Sequence, residues 1–319
     1  MTESIPHQPA SPAAPTRPAP CDDATAQADP DRTPLGAAGL ATEITTELST
    51  RLSRVRLHGF RRPPRPAATA PEPPALVAVA HGSRDPRALP AVRALLDRVR
   101  ALRPGLTVRL AHIELNRPLL ADTLAELRGA AVLVPLLFGH GHHVTHDLPA
   151  ALADAPHLTG RTAAPLGPHP LLARALHDRL LEAGFPAAPD PRRTAVVLAS
   201  AGSRAARSTA DTGHIARLLS ARLGGIPVLP AHASAATPTV PEAVRLLTAR
   251  GHDRIAVAAC FTAPGRFAAQ CAAHAPGIAA EPLGDHPALA RLVLHRYDRA
   301  LLARSGSDPH GSRAATVAV

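Results

Sequence analysis

The sequence contains no lysine and no tryptophan, and aromatic residues make up only 2% of its 319 residues. All 35 basic side chains are therefore arginines, in a composition typical of GC-rich codon bias. For this reason we do not take the net charge of +10 as a sign of nucleic-acid binding. Proteins that bind single-stranded RNA also stack bases on aromatic side chains, which are scarce here.

Cysteine is equally rare. The three cysteines, Cys21, Cys260 and Cys271, form no CxxC pair and leave an odd count. This usage argues against a disulfide framework and against a zinc or iron–sulfur site built from cysteines. No apolar run of about 18 residues is present, and the N-terminal segment does not resemble a signal peptide. We therefore expect a soluble, cytoplasmic protein without a membrane partner.

The two ends of the chain differ in composition from the rest. Residues 1–74 are rich in proline and alanine, which predicts a disordered tail, with a transient helix over 42–57 as an alternative inside it. Residues 304–319 are predicted to form a second, short flexible tail.

From residue 75 onward, short apolar segments alternate with amphipathic ones. Residues 76–80, 107–113 and 131–138 are predicted strands, whereas 87–102 and 118–127 are predicted helices. Strands that alternate with helices indicate an α/β fold whose strands are parallel and joined by right-handed crossovers.

The α/β pattern occurs twice. A shift of 120 residues places the GlySerArg at 82–84 on the GlySerArg at 202–204, and a shift of 117 places residues 165–170 on the similar 282–287. The matches keep their order, so we infer a duplicated α/β domain. The predicted organisation is a first repeat over 75–183, a linker over 184–193 and a second repeat over 194–303.

Polar side chains follow the three predicted strands of the first repeat. His81 follows the first strand, Glu114 follows the second, and a loop over 139–149 follows the third. This loop contains four histidines: His140, His142, His143 and His146. Ligands of open parallel sheets bind outside the carboxyl ends of the strands. Imidazole and carboxylate together suit iron, cobalt, nickel or zinc, and they also suit proton transfer.

Each of these features also has a simpler interpretation. His81 could hydrogen-bond the Gly-Ser turn after it, Glu114 could be a surface carboxylate, and the loop could be flexible with incidental metal affinity. GlySerArg after a strand could instead cradle a phosphate at a helix N-terminus. However, no GxxxxGK[ST] or GxGxxG motif follows any strand, so nucleotide binding is poorly supported.

The second repeat lacks the three candidate side chains. Ala201, Ser234 and Phe267 stand at the positions of the histidine, the glutamate and the third-loop histidine, although the surrounding sequence is kept. Residues needed for folding would be kept in both repeats. The difference therefore favours a working site in the first repeat and a scaffold or pocket wall in the second.

At these residues the sequence resembles the sirohydrochlorin chelatases, the class II chelatases of CbiX and SirB type. The matching segments are AlaHisGlySerArgAspPro at 80–86, Glu114, and Gly-x-His-Val-x-x-Asp-Leu-Pro at 141–149. The resemblance covers residues 75–303. It implies two similar α/β lobes, each a four-stranded parallel sheet flanked by helices, with a cleft between them.

The resemblance also implies an activity, the insertion of Fe²⁺ or Co²⁺ into sirohydrochlorin for siroheme or cobalamin synthesis. It makes His81, His143 and Glu114 the catalytic and metal-binding residues, because Gly-x-His-Val selects His143 over His140 and His142. The metal is a substrate, and no organic cofactor is expected.

A tetrapyrrole with many carboxylates favours a cationic cleft. We therefore expect Ser83, Arg84 and Arg117 to contact it, with Arg87 also next to the site, because arginine forms bidentate pairs with carboxylates. The expected partner is sirohydrochlorin and not nucleic acid or a membrane, and the chain is expected to be a monomer or homodimer. The alternatives are a non-catalytic tetrapyrrole or metal carrier, which would not need Glu114 as a proton acceptor, and an enzyme of a phosphate ligand.

Overall fold

The computed structural model describes residues 72–303, together with the helical residues 47–49 and 51. The disordered tail predicted over 1–74 lies outside the described residues, apart from these four and 72–74. The flexible tail predicted over 304–319 also lies outside them. Within the described residues, no helix is both long enough and apolar enough to span a bilayer.

The first repeat forms a parallel sheet of four strands in the order β2-β1-β3-β4. Strand β1 is buried along its whole length because it is central and covered on both faces. The strands are β1 (Ala75–Ala80), β2 (Val108–His112), β3 (Gly129–Pro135) and β4 (Leu158–Thr162). The helices are α1 (Ala88–Leu102), α2 (Leu120–Glu126), α3 (Leu148–Ala153) and α4 (Pro170–Glu182), and a π-helical turn, His143–Asp147, precedes α3.

The second repeat forms a parallel sheet of three strands in the order β6-β5-β7. The strands are β5 (Thr194–Ser200), β6 (Val228–His232) and β7 (Arg254–Ala259). The helices are α5 (Ala206–Arg222), α6 (Val240–Ala249), α7 (Arg266–Ala273) and α8 (Pro287–Leu302).

The predicted α/β class with two parallel sheets is confirmed, but the fourth strand expected in the second sheet is wrong. In its place Ala279 forms a single parallel bridge with Val257 of β7. Pro276 and Pro282 leave only five residues for this segment, whereas eight lie between Pro156 and Pro165 around β4, and proline has no backbone N–H to extend a ladder.

The duplication is visible in matching backbone contacts. The N–H of Glu114 donates to the carbonyl of His81 at 3.0 Å, and the N–H of Ser234 donates to the carbonyl of Ala201 at 3.0 Å. The two repeats therefore keep the same backbone at positions where their side chains differ.

The last helix of each repeat packs on the other repeat. Helix α4 packs against β7 and α5, whereas α8 packs against β3 and α1. At the start of the first repeat, the Tyr297 hydroxyl of α8 donates to the carbonyl of Pro74 at 2.6 Å. One core of leucine, valine and alanine consequently runs through both repeats. This shared core fixes the loops of the two repeats relative to one another.

Candidate functional site

The three candidate ligand residues lie together at the carboxyl edge of the first sheet. His81 follows β1, Glu114 follows β2, and His143 begins the π-helical turn after β3. His81 Nδ1 lies 3.5 Å from Glu114 Oε1. The ring centroids of His81 and His143 are 4.9 Å apart, and the rings are almost perpendicular, at 87°. The structure therefore brings together two imidazoles and a carboxylate that the sequence separates by up to 62 positions (143 − 81).

Gly82 sets the distance between the turn that carries His81 and the backbone of Glu114. It has φ +104°, and a Cβ atom there would lie 1.9 Å from the carbonyl oxygen of Glu114. Only glycine permits this close approach of two backbones. Gly202 meets Ser234 in the same way, again at 1.9 Å. The frame of the site is thus present in both repeats, and only the first carries the candidate ligands.

Asp147 orients His143. Its Oδ2 lies 2.6 Å from His143 Nδ1, because one helical turn places residues i and i+4 on the same face. A ring that donates from Nδ1 has its free lone pair on Nε2, the atom that a metal ion or a proton needs. The matched motif contains Asp147 four positions after His143, but the sequence alone does not show that the two side chains pair.

The other histidines of the third loop have different neighbours. The His142 side chain is 72% exposed, its ring stacks on His146 with centroids 4.5 Å apart, and its Nε2 lies 3.5 Å from Asp147 Oδ1. His140 Nδ1 is instead 2.7 Å from Oδ2 of Asp211 in the second repeat. Of the four histidines of this loop, His143 is the one whose ring packs against that of His81.

The site is open and does not form a closed cage of ligands. Across residues 72–303, no three His, Cys, Asp or Glu side chains are grouped closely enough to hold a metal ion by themselves. The Glu114 side chain is 54% exposed and that of His143 is 34% exposed. An open pair of imidazoles suits a metal that enters and leaves, because structural metal sites instead surround the ion with protein ligands.

The three residues expected to contact the tetrapyrrole differ in their hydrogen bonds and ion pairs within the protein. The Ser83 N–H donates to Asn116 Oδ1 at 2.7 Å, a partner that sequence analysis missed. Arg117 pairs with Asp122 at 2.5 Å. Arg84 is exposed and forms no ion pair within the described part of the chain. Arg84 is therefore the best placed of the three to receive a carboxylate of a ligand.

The loops of the two repeats meet reciprocally. A Cβ atom at Gly141 would lie 3.5 Å from Ser203 Oγ, and one at Gly265 would lie 3.1 Å from Ser83 Oγ. Phe267, the counterpart of His143, follows two residues after Gly265 and is half-buried. The second repeat therefore brings the start of α7 against the Gly-Ser turn of the site.

Each repeat also has one buried histidine at the end of its second strand, and this pair has a structural role. His112 and His232 end β2 and β6, and burial lowers the pKa of both imidazoles. Their backbone N–H groups donate to the carbonyls of Pro118 and Pro238 in equivalent contacts. These buried histidines contrast with His81, whose side chain is 45% exposed and which has no counterpart in the second repeat.

Two linked parallel sheets, with an imidazole pair and a carboxylate at one sheet edge, define a two-lobed α/β protein of chelatase type. The chain belongs to the CbiX family, whose model matches residues 75–183 and again 195–300. This double match confirms the resemblance to the family that the motifs indicate. A search among curated protein sequences finds no match to the chain.

Solved structures share the fold. SirB from Bacillus subtilis with Fe³⁺ matches with a TM-score of 0.59 and 21% identity, over 73% of this chain and 98% of that one. The sirohydrochlorin chelatase SirB from Bacillus subtilis subspecies spizizenii, in complex with cobalt, matches with a TM-score of 0.57 and 19% identity, over 73% and 97%. CbiX, described as the terminal enzyme for siroheme biosynthesis in denitrifying bacteria, matches with a TM-score of 0.53 and 22% identity, over 71% and 99%.

Proposed function

We propose that the protein inserts Fe²⁺ or Co²⁺ into sirohydrochlorin, as a metal chelatase of siroheme or cobalamin biosynthesis. The observation that carries this proposal is the His81–His143 pair, with ring centroids 4.9 Å apart and Glu114 beside it, in one repeat only. Membership of the CbiX family supports it, as do the iron and cobalt complexes of two proteins with the same fold.

The metal is a substrate, and the two histidines are its proposed protein ligands. Asp147 accepts a hydrogen bond from Nδ1 of His143, which leaves Nε2 of that ring to bind the ion. Two imidazole ligands leave coordination positions open, so that the nitrogens of the tetrapyrrole can replace the protein ligands one after another.

Glu114 is the proposed proton acceptor. Sirohydrochlorin loses two pyrrole N–H protons as the dication enters, so the net charge of metal, macrocycle and released protons is conserved. The Glu114 side chain is about half exposed and lies 3.5 Å from His81 Nδ1, so a proton taken there passes readily to water or to the imidazole.

Arg84 is the proposed main contact for the carboxylates of the tetrapyrrole. Ser83 contributes when its hydroxyl leaves the Pro264 carbonyl, and Arg117 contributes when it leaves Asp122. Phe267 and the start of α7 form the proposed wall on the opposite side. The proposal includes a cytoplasmic location, no organic cofactor and one metal site per chain.

A metal carrier is the second candidate. The observation in its favour is the exposed, stacked pair of His142 and His146, which offers metal affinity next to the site. The phosphate-ligand alternative is weakened, because the Ser83 N–H already donates to Asn116 Oδ1 at 2.7 Å.

An anaerobic absorption assay tests the proposal. Purified protein is mixed with sirohydrochlorin and either Fe²⁺ or Co²⁺, and the change in the tetrapyrrole spectrum is followed against the same mixture without protein. We expect faster metal insertion with at least one of the two metals. Rates equal to the protein-free rates with both metals would overturn the proposal.

A further inference from the structure

Asp211 of the second repeat is hydrogen-bonded to the loop that leads to His143. It lies on α5, and its Oδ2 accepts two hydrogen bonds from His140, one from the backbone N–H at 2.9 Å and one from Nδ1 at 2.7 Å. Both side chains are largely buried, at 13% exposure for Asp211 and 18% for His140. Hydrogen bonds to a carboxylate are stronger than neutral ones. The loop is therefore anchored three residues before His143.

The backbone next to this anchor also lies against α5. A Cβ atom at Gly139 would lie 2.9 Å from Ser208 Oγ and 3.5 Å from Asp211 Oδ2. There is thus no space for a side chain at Gly139, and the loop runs directly over the helix.

Asp211 also influences Arg296 of α8, with which it forms no ion pair in the described part of the chain. Burial lowers the pKa of Arg296, and the negative charge of Asp211 acts in the opposite direction. The guanidinium Nη2 of Arg296 donates to the carbonyls of Leu166 and Pro168, both at 3.1 Å. Arg296 thus holds the segment that follows β4, and the charge of Asp211 favours its protonated form.

The duplicated fold does not require this pair. The shift of 120 residues places Asp211 on Ala91, and the shift of 124 that aligns the third loops places His140 on Pro264. The reciprocal contact of the repeats is formed there by Ser83 Oγ and the Pro264 carbonyl, 3.5 Å apart and without a charged group. The His140–Asp211 pair therefore occurs only at the loop that carries a candidate metal ligand.

We propose that Asp211 is a positioning residue for metal insertion. By holding His140 it fixes the third loop so that His143 stays beside His81, although Asp211 itself touches neither metal nor tetrapyrrole. The second repeat, which has lost its own ligands, thus takes part in the reaction by holding those of the first. This inference rests on the proposed function, because it assumes that His81 and His143 bind the metal.

The test measures Co²⁺ binding and metal insertion separately. Co²⁺ is titrated into the tetrapyrrole-free protein and followed by its visible absorption, and kcat and KM for the metal are measured in the anaerobic assay. For Asp211→Ala we expect the Kd for Co²⁺ to rise about 10-fold, the low end for loss of a group that orients a metal ligand. Asp211→Asn keeps an oxygen acceptor for His140 and should restore most of the affinity.

Asp298→Ala is the matched control. Asp298 also joins the repeats, through Arg103, but at a position away from the third loop. We expect this variant to bind Co²⁺ like the wild type. If Asp211→Ala does not fold, Asp211→Leu has the same branched shape, although it is larger, and also lacks an acceptor, and it is expected to show the same loss.

The outcomes separate this inference from the proposed function. A wild-type affinity for Co²⁺ in Asp211→Ala or Asp211→Leu, with only a lowered Tm, would overturn the inference. Failure of Asp211→Asn to recover affinity would also overturn it. A wild-type chain that binds Co²⁺ but inserts neither metal would overturn only the proposed function, and one that binds neither Co²⁺ nor Fe²⁺ would overturn both.

Discussion

Nδ1 of His143 lies 2.6 Å from Oδ2 of Asp147, so the ring is held with Nε2 free. In the second repeat the shift of 124 residues places Phe267 and Cys271 at these positions. Burial raises the pKa of the Cys271 thiol to about 11, so this thiol is neutral near physiological pH. The second repeat has therefore lost both members of the pair, as expected if the two act together in the site and not in folding.

Replacement of Asp147 should impair the reaction more than the fold. In Asp147→Ala the His143 ring loses the group that fixes its orientation and tautomer, and we expect kcat/KM for the metal to fall about 10- to 100-fold. Steady-state kinetics and thermal unfolding of the same preparation measure the two effects. Asp154→Ala, at an exposed position after α3, is the control and should behave like the wild type. Activity of Asp147→Ala within about twofold of the wild type would contradict the role.

Phe267→Ala should raise KM for the tetrapyrrole without changing the dependence on metal. Phe267 is half-buried beside the Gly-Ser contact, so its removal reduces substrate binding and leaves the ligand set unchanged. Its stability cost should be below the ~3–5 kcal/mol typical of a fully buried phenylalanine. Phe185→Ala, at a core position, is the control and should lower Tm without altering KM. A lower Tm with an unchanged KM in Phe267→Ala would assign Phe267 to packing alone.

A chain that begins at Glu72 should fold and keep its turnover. Residues 1–71 lack a periodic apolar pattern, whereas the Pro74 carbonyl, which accepts the Tyr297 hydroxyl, is retained. Soluble yield, Tm and initial rate, each compared with the full chain, check this prediction. A clear loss of soluble protein or of turnover would show that the N-terminal segment takes part in folding or in the reaction.

Stability should fall as the pH decreases from about 6.5 to 4, partly because of His169. Burial, followed by the positive charges of Arg296 and His295, lowers the pKa of His169 to about 4. In the unfolded chain an imidazole titrates near 6.5, so between these values the unfolded state binds more protons and is favoured as pH falls. The contribution is fully present above about pH 6.5 and is lost toward pH 4.

His169→Asn separates this effect from those of other histidines. In the wild type the His169 imidazole caps α4 by accepting a hydrogen bond from the Leu171 N–H at 3.1 Å. An asparagine side chain can still cap the helix in this way, but it does not titrate. We expect Tm of this variant to depend less on pH between 7 and 4, whereas the exposed control His214→Asn should follow the wild type. Identical slopes for His169→Asn and the wild type would contradict the assignment.

The sequence predicts the site better than it predicts the packing around it. His81, Glu114 and His143 each follow a strand, and the carboxyl ends of parallel strands meet at one edge, so their proximity follows from local pattern alone. The packing of α4 and α8 on the opposite repeat does not follow from the sequence. Periodicity shows which face of a helix is apolar, but not which sheet that face covers.

Local sequence patterns likewise do not indicate which residues form contacts between the repeats. Asp211 lies 71 positions from His140, on a helix whose counterpart has alanine at that place. The sequence signal for the missing fourth strand in the second sheet is the interval between Pro276 and Pro282, which is three residues shorter than that between Pro156 and Pro165 around β4.

The number of metallated tetrapyrroles released per chain tests the central claim most directly. Wild-type protein is given an excess of sirohydrochlorin and Fe²⁺ or Co²⁺ without oxygen, with His143→Ala and the exposed-loop control His142→Ala measured in parallel. We predict many equivalents of product per wild-type chain, a similar yield for His142→Ala, and a rate for His143→Ala close to the protein-free rate. Product that stops at one equivalent per chain would identify a carrier, and an active His143→Ala beside an inactive His142→Ala would contradict the assigned site.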